Sequence, residues 1–204
     1  MKIYVCGFSH CGSTILRKVI GDHSLVDEVT YETSDPPEFK AAPHIVFKSG
    51  GLPEDKHKDC KVIVIIKNPW DVLGSMHRRF KERDDGRLVR AFHTYMEYLD
   101  YFRMPLPAHK VRYEDLFSGG LERVFDYLGL EYEGPKDRKS EFSLLEGQSD
   151  DLKGLAAYRT KQINTPFRNM TGNSARYLPR GLSKDISEHK TIRSAYNDYL
   201  YLAR

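Results

Sequence analysis

The sequence predicts an α/β domain, a three-layer sandwich in which helices cover both faces of a mostly parallel sheet. Three observations predict it. Short apolar runs alternate along the chain with segments of helical spacing, as β-α units require. One run, VIVII from Val62 to Ile66, is apolar without a break and suits a strand buried on both faces. The first strand-to-helix connection is a glycine-bounded loop, a form that lets backbone N–H groups and a helix N-terminus converge on an anion.

The elements follow in order. A strand over Ile3 to Cys6 leads through a loop bounded by Gly7 and Gly12 into a helix over Ser13 to Gly21. A polar stretch over 22–40 contains the turn-forming Asp35, Pro36 and Pro37. The run HIVFK from His44 to Lys48 reads as a short strand closed by Gly50, Gly51 and Pro53, and the strand over Val62 to Ile66 comes next. Asn68 then caps a helix over 69–83, with Pro69 in its first turn and Asp71 facing its dipole. A further helix over 87–102 places Leu88, Phe92, Tyr95, Leu99 and Phe102 at three- and four-residue spacings, and Pro105 and Pro107 end it. A strand over His109 to Tyr113 precedes an amphipathic helix through Leu121, Val124, Phe125 and Leu128 that Gly129 stops. The segment over 133–182 is polar and rich in turns, and a last helix spans 184–202.

At 204 residues, with no linker and no internal repeat, the chain reads as a single domain over 1–204, long enough to bury a full core. Against 29 acidic residues stand 32 lysines and arginines, a net charge of +3, too small to argue for nucleic acid. Arg78, Arg79, Lys81 and Arg83 read as a solvated helix face. Three cysteines without a C-x-x-C spacing point to reduced thiols. The apolar start is too short for a signal peptide or an anchor, and no run is long enough to span a membrane, so the expectation is a soluble cytoplasmic protein.

The loop from Gly7 to Thr14 reads GFSHCGST. Against the nucleotide-triphosphatase pattern G-x-x-x-x-G-K-[ST] it keeps both glycines and the final hydroxyl, but Ser13 stands where the lysine belongs. That lysine reaches the β and γ phosphates, so triphosphate hydrolysis loses its main cation. What remains are the N–H groups from Cys11 to Thr14 and the hydroxyls of Ser13 and Thr14. These suit a compact tetrahedral anion such as phosphate or sulfate. A second string, KNPWDVLGS from Lys67 to Ser75, places a cation at a strand end and a hydroxyl about two turns into the next helix, a pair able to clamp a second phosphate some distance from the first.

Together the two strings resemble the nucleotide-binding signatures of sulfotransferases that use 3′-phosphoadenosine 5′-phosphosulfate (PAPS). In that family the first loop reads K/R-S-G-T/S-T and the second R-[DN]-P-x-[DE]-x-x-x-S. A third string, VRYEDL from Val111 to Leu116, is close to the family's own V-R-Y-E-D-L. The resemblance covers about the first two-thirds of the chain. It implies a P-loop NTPase-like sulfotransferase fold, PAPS as co-substrate with PAP as product, and no required metal. By position, His10 replaces the basic loop residue, and Cys11, Gly12, Ser13 and Thr14 cradle the 5′-phosphosulfate. Lys67 replaces the family's arginine, Ser75 matches its 3′-phosphate serine, and Arg168 and Arg176 stand near a late basic loop. Histidine is only partly charged near neutral pH, and lysine offers a point charge where arginine offers a fork.

Sulfuryl transfer needs a base for the acceptor's proton and positive charge near the leaving phosphate. Many cytosolic members carry a histidine in K-T-H-x-P. The similar segment here, KSGGLP from Lys48 to Pro53, lacks it but keeps Lys48, which can touch the transferring group. Glycan and tyrosyl-protein members use a glutamate after the first helix, which points to Glu32 as general base, with Glu38, His44 and His57 in reserve. The expected activity is therefore sulfuryl transfer to a hydroxyl or amine of a glycan, a small molecule or a peptide tyrosine, with no nucleic acid or membrane as partner. Two other readings stay open: a degenerate P-loop nucleotide or small-molecule kinase, and a non-catalytic nucleotide-binding module.

Overall fold

The sheet is built around β1 (Lys2–Gly7), in which Ile3, Tyr4, Val5 and Cys6 are wholly buried. The computed structural model describes residues 1–39, 41–80, 85–105, 107–134, 160 and 190–202. β1 pairs in parallel with β3 (His44–Ser49) on one side and β4 (Cys60–Ile66) on the other. β2 (Val26–Glu32) and β5 (Ala108–Arg112) flank these, giving the order β2-β3-β1-β4-β5 with every pairing parallel.

Alternation along the strands divides the core into two. Tyr4, Cys6, Phe47, Val64 and Ile66 face α2 (Pro69–Phe80), α3 (Asp85–Arg103) and α5 (Lys190–Leu202), meeting Leu73, Tyr95, Leu99 and Tyr199. Ile3, Val5, Val46, Ile63 and Ile65 face α1 (Ser13–Gly21) and α4 (Gly120–Leu128), meeting Leu16, Ile20, Val124 and Phe125. The result is the expected three-layer α/β sandwich with helices on both faces. Among the described residues, no helix is long and apolar enough to cross a membrane.

Of three local differences from the expected elements, the first two have physical causes. The stretch expected as polar loop contains β2, whose charged residues hide its alternation. Glu28 in that strand pairs at 2.9 Å with Arg17 of α1, whose side chain is buried, so a charge that looks like a loop signal belongs to a buried ion pair. The strand expected to reach Tyr113 stops at Arg112, because Arg112 grips Asp115 with two bonds of 2.8 and 2.6 Å and winds Tyr113–Phe117 into a 3-10 turn. Helix α3 starts two residues earlier than expected, at Asp85. Arg168, Arg176, most of the turn-rich segment and the beginning of the last predicted helix lie outside the described residues.

Candidate functional site

After β1 the chain builds β2 and β3 on one side of the sheet and then crosses to β4 on the other. The carboxyl end of β1 is thus the topological switch point, where open α/β sheets bind ligands. The glycine-bounded loop sits there, and its shape dictates its glycines. A Cβ on Gly7 would lie 2.6 Å from the Ile65 side chain. Gly12 has φ 97°, and a Cβ there would lie 2.6 Å from the Tyr113 ring. His10 also adopts the left-handed region, with φ 70°, a conformation few non-glycine residues hold without support from their surroundings.

Within the loop the N–H of Cys11 donates to the Phe8 carbonyl at 3.1 Å, and the Cys11 side chain is fully buried. Burial pushes its thiol pKa up, which keeps it protonated and unreactive. Cys11 therefore shapes the turn, and its own N–H is engaged inside the loop rather than offered to an anion. Helix α1 begins at Ser13, and the N–H groups of a helix's first turn have no acceptor within the helix. Ser13 and Thr14, both buried, supply those groups and their hydroxyls at the mouth of the helix.

A cleft of about 190 Å³ opens there, lined by the loop from Gly7 to Thr14 except Cys11, together with Glu32, Lys48, Gly50 and Thr94. Glu32 and Lys48 are register partners across the carboxyl ends of β2 and β3, and the Lys48 ammonium donates to the Glu32 carboxylate. The lysine side chain is 2% exposed and the glutamate 37%, so the cation is enclosed while its partner faces the cleft. Two residues assigned separate roles from the sequence thus form one ion pair in the same cleft as the anion loop.

The second motif sits differently from the expected distant clamp. Ser75 reaches back to the first loop, its hydroxyl 2.8 Å from His10 Nδ1. Lys67 is buried, its ammonium 4.2 Å from the centre of the Tyr113 ring, the ring that also packs on Gly12. Neither Lys67 nor Ser75 lines the cleft. The turn carrying Lys67 is held from three directions. Asn68 Oδ1 accepts the Trp70 N–H at 2.9 Å, Tyr95 donates to the Lys67 carbonyl at 2.5 Å, and Glu114 accepts the Asn68 N–H at 3.0 Å. Glu114 also accepts the hydroxyl of Tyr199 from the C-terminal helix.

Two of the reserve bases are placed elsewhere. His44 lies at the amino end of β3, 3.3 Å from the N-terminal nitrogen, at the opposite end of the strand from the cleft. His57 is buried and stacked on Tyr4 at 4.0 Å. Its Nδ1 accepts the Glu54 N–H at 2.9 Å, so Nε2 carries the proton and donates to Ser34 at 2.7 Å. With both ring nitrogens occupied, His57 is a core residue. Glu38 is exposed and is not among the cleft residues. Thr94 and the part played by Tyr113 were not singled out from the sequence. Only Tyr113 left a signal, as the centre of the VRYEDL string; Thr94 is one polar residue on an amphipathic helix.

No family model matches the chain, and no curated protein sequence matches it. Solved structures do. The mouse sulfotransferase SULT7A1 complexed with PAP aligns over 96% of this chain and 88% of its own, at 12% identity and a TM-score of 0.52. The sulfotransferase domain of the Synechococcus PCC 7002 olefin synthase aligns over 98% and 95%, at 15% identity and 0.53. Retinol dehydratase in a complex with retinol and PAP aligns over 97% and 81%, at 13% identity and 0.52. The chain has the sulfotransferase fold.

Proposed function

We propose that this chain transfers a sulfuryl group from PAPS to a hydroxyl or amine of an acceptor. One observation carries the proposal: an anion loop without the triphosphatase lysine shares a single cleft with an enclosed lysine paired to a cleft-facing glutamate. The presence of PAP in two of the similar structures supports the same donor.

The donor set fits a phosphosulfate. Backbone N–H groups and two hydroxyls at a helix N-terminus offer directional bonds to tetrahedral oxygens. The Ser13 and Thr14 groups hold the 5′-phosphosulfate, and His10, fixed by Ser75, presents its ring at the loop's edge. Lys48 stabilises the charge that gathers on the phosphate side as the S–O bond breaks. Glu32 accepts the acceptor's proton as the new bond to sulfur forms in line. PAPS, when bound, supplies the sulfuryl group. Lys67 and Ser75, with Arg168 and Arg176, are the residues that the family resemblance assigns to the 3′-phosphate. The acceptor class is a glycan, a small molecule or a peptide tyrosine.

Calorimetric titration with PAP and with ATP tests this. PAP should bind more tightly than ATP by roughly tenfold or more, because PAP alone carries a 3′-phosphate for the protein to hydrogen-bond. ATP hydrolysis without PAP binding would establish a triphosphatase or kinase instead. PAP binding without transfer to any acceptor would establish a non-catalytic module.

A further inference from the structure

Gly50 follows β3 directly and lines the cleft beside Glu32, Lys48 and Thr94. Glycines are usually explained by a left-handed backbone or a close neighbour, and Gly50 has neither. Its φ lies outside the left-handed range, and a Cβ built on it meets no atom within 4 Å. The contrast with Gly7 and Gly12, where a Cβ would collide at 2.6 Å, shows that the fold does not require a glycine here.

Nor is this a loose turn. The Gly50 carbonyl accepts the hydroxyl of Tyr98, which is 2% exposed. The next residue, Gly51, is tied at both ends: its carbonyl accepts the Tyr4 hydroxyl at 2.8 Å, and its N–H donates to Ser49 Oγ at 3.0 Å. Two core tyrosines thus hold the backbone in place, and at this exposed position the missing side chain leaves open space on the rim of the cleft that Lys48 and Glu32 also line. Glycine is suited to such a place because it lets a ligand approach the backbone closely.

On the reading that Glu32 takes the acceptor's proton, the carbon that bears the reacting hydroxyl or amine enters the cleft that Gly50 also lines. We infer that Gly50 is a specificity-determining residue, and that its open face admits acceptors that are branched or ring-bearing at that carbon. A side chain at this position would fill the same space and select for unbranched acceptors.

The inference rests on the sulfuryl-transfer reading, so the experiment separates the two. Gly50→Ala and Gly50→Val are compared with the wild-type chain using PAPS and three acceptors: 2-naphthol, cyclohexanol and 1-propanol. PAP affinity and melting temperature are measured alongside. Expected are an unchanged PAP affinity, no fall in melting temperature for Gly50→Ala, and a kcat/KM ratio of bulky to unbranched acceptor that drops by about tenfold in Gly50→Val, with Gly50→Ala between. An unchanged acceptor ratio, with PAP binding and transfer intact, overturns the inference alone. A loss of PAP affinity as large as the loss of turnover also overturns it, because the added side chain would then be acting on the anion loop. PAP binding without transfer to any of the three acceptors overturns it as well. Failure of the wild-type chain to bind PAP overturns the sulfuryl-transfer reading, and the inference falls with it.

Discussion

Glu32 and Lys48 were legible in the sequence as residue types, but not as a pair. Their contact depends on the register of two parallel strands, a non-local property that no spacing in the chain encodes. As the proposed base for the acceptor, Glu32 should be replaceable by glutamine with PAP affinity retained and turnover lowered about 10²–10⁴-fold; near-wild-type turnover would remove it from the mechanism. Gly12 was legible by its place in the loop, and the structure adds the reason. Its left-handed φ and the Tyr113 ring both exclude a Cβ, so Gly12→Ala should cost about 2 kcal/mol or more in chemical denaturation. His109 gives a pH dependence. Burial, and then the nearby Arg123 cation, lower its pKa from 6.5, so folding expels its proton and the unfolded chain binds more. Stability is then present above the unfolded pKa and lost on acidification toward the folded one. The melting temperature should fall between about pH 7.5 and about pH 5.5, and less steeply in His109→Gln; an identical slope in the two proteins would refute the assignment.

Among elements, β4 and α1 were plain because local signals agree: an unbroken β-branched run, and a glycine loop followed by helical spacing. β2 was hidden because three of its seven residues are charged, with Glu28 answered by Arg17 on another element. The β4–α2 turn shows what spacing cannot supply. Its Asn68 cap is readable from the sequence, but the Glu114 carboxylate that joins Asn68 to Tyr199 comes from the 3-10 turn after β5. This bridge should couple the C-terminal helix to the turn. Tyr199→Phe and Glu114→Gln should each cost about 1–2 kcal/mol, and the double variant less than their sum. Strict additivity in denaturant titrations would show that the bridge is not a working link.

At the scale of the molecule, alternating strands and helices were enough to state the sandwich, and the switch point then followed from the strand order. The order itself was not readable, because it depends on which strands pair across the sheet. The structure brings the anion loop, the Lys48–Glu32 pair and Gly50 to one end of that sheet, and the proposed sulfuryl transfer from PAPS would use them together. The most direct measurement is the transfer of label from sulfur-labelled PAPS to a panel of hydroxyl and amine acceptors, with ATP hydrolysis followed in parallel. Sulfuryl transfer predicts a labelled acceptor, stoichiometric PAP and no ATP turnover above background. Hydrolysis of ATP with no labelled acceptor would contradict it.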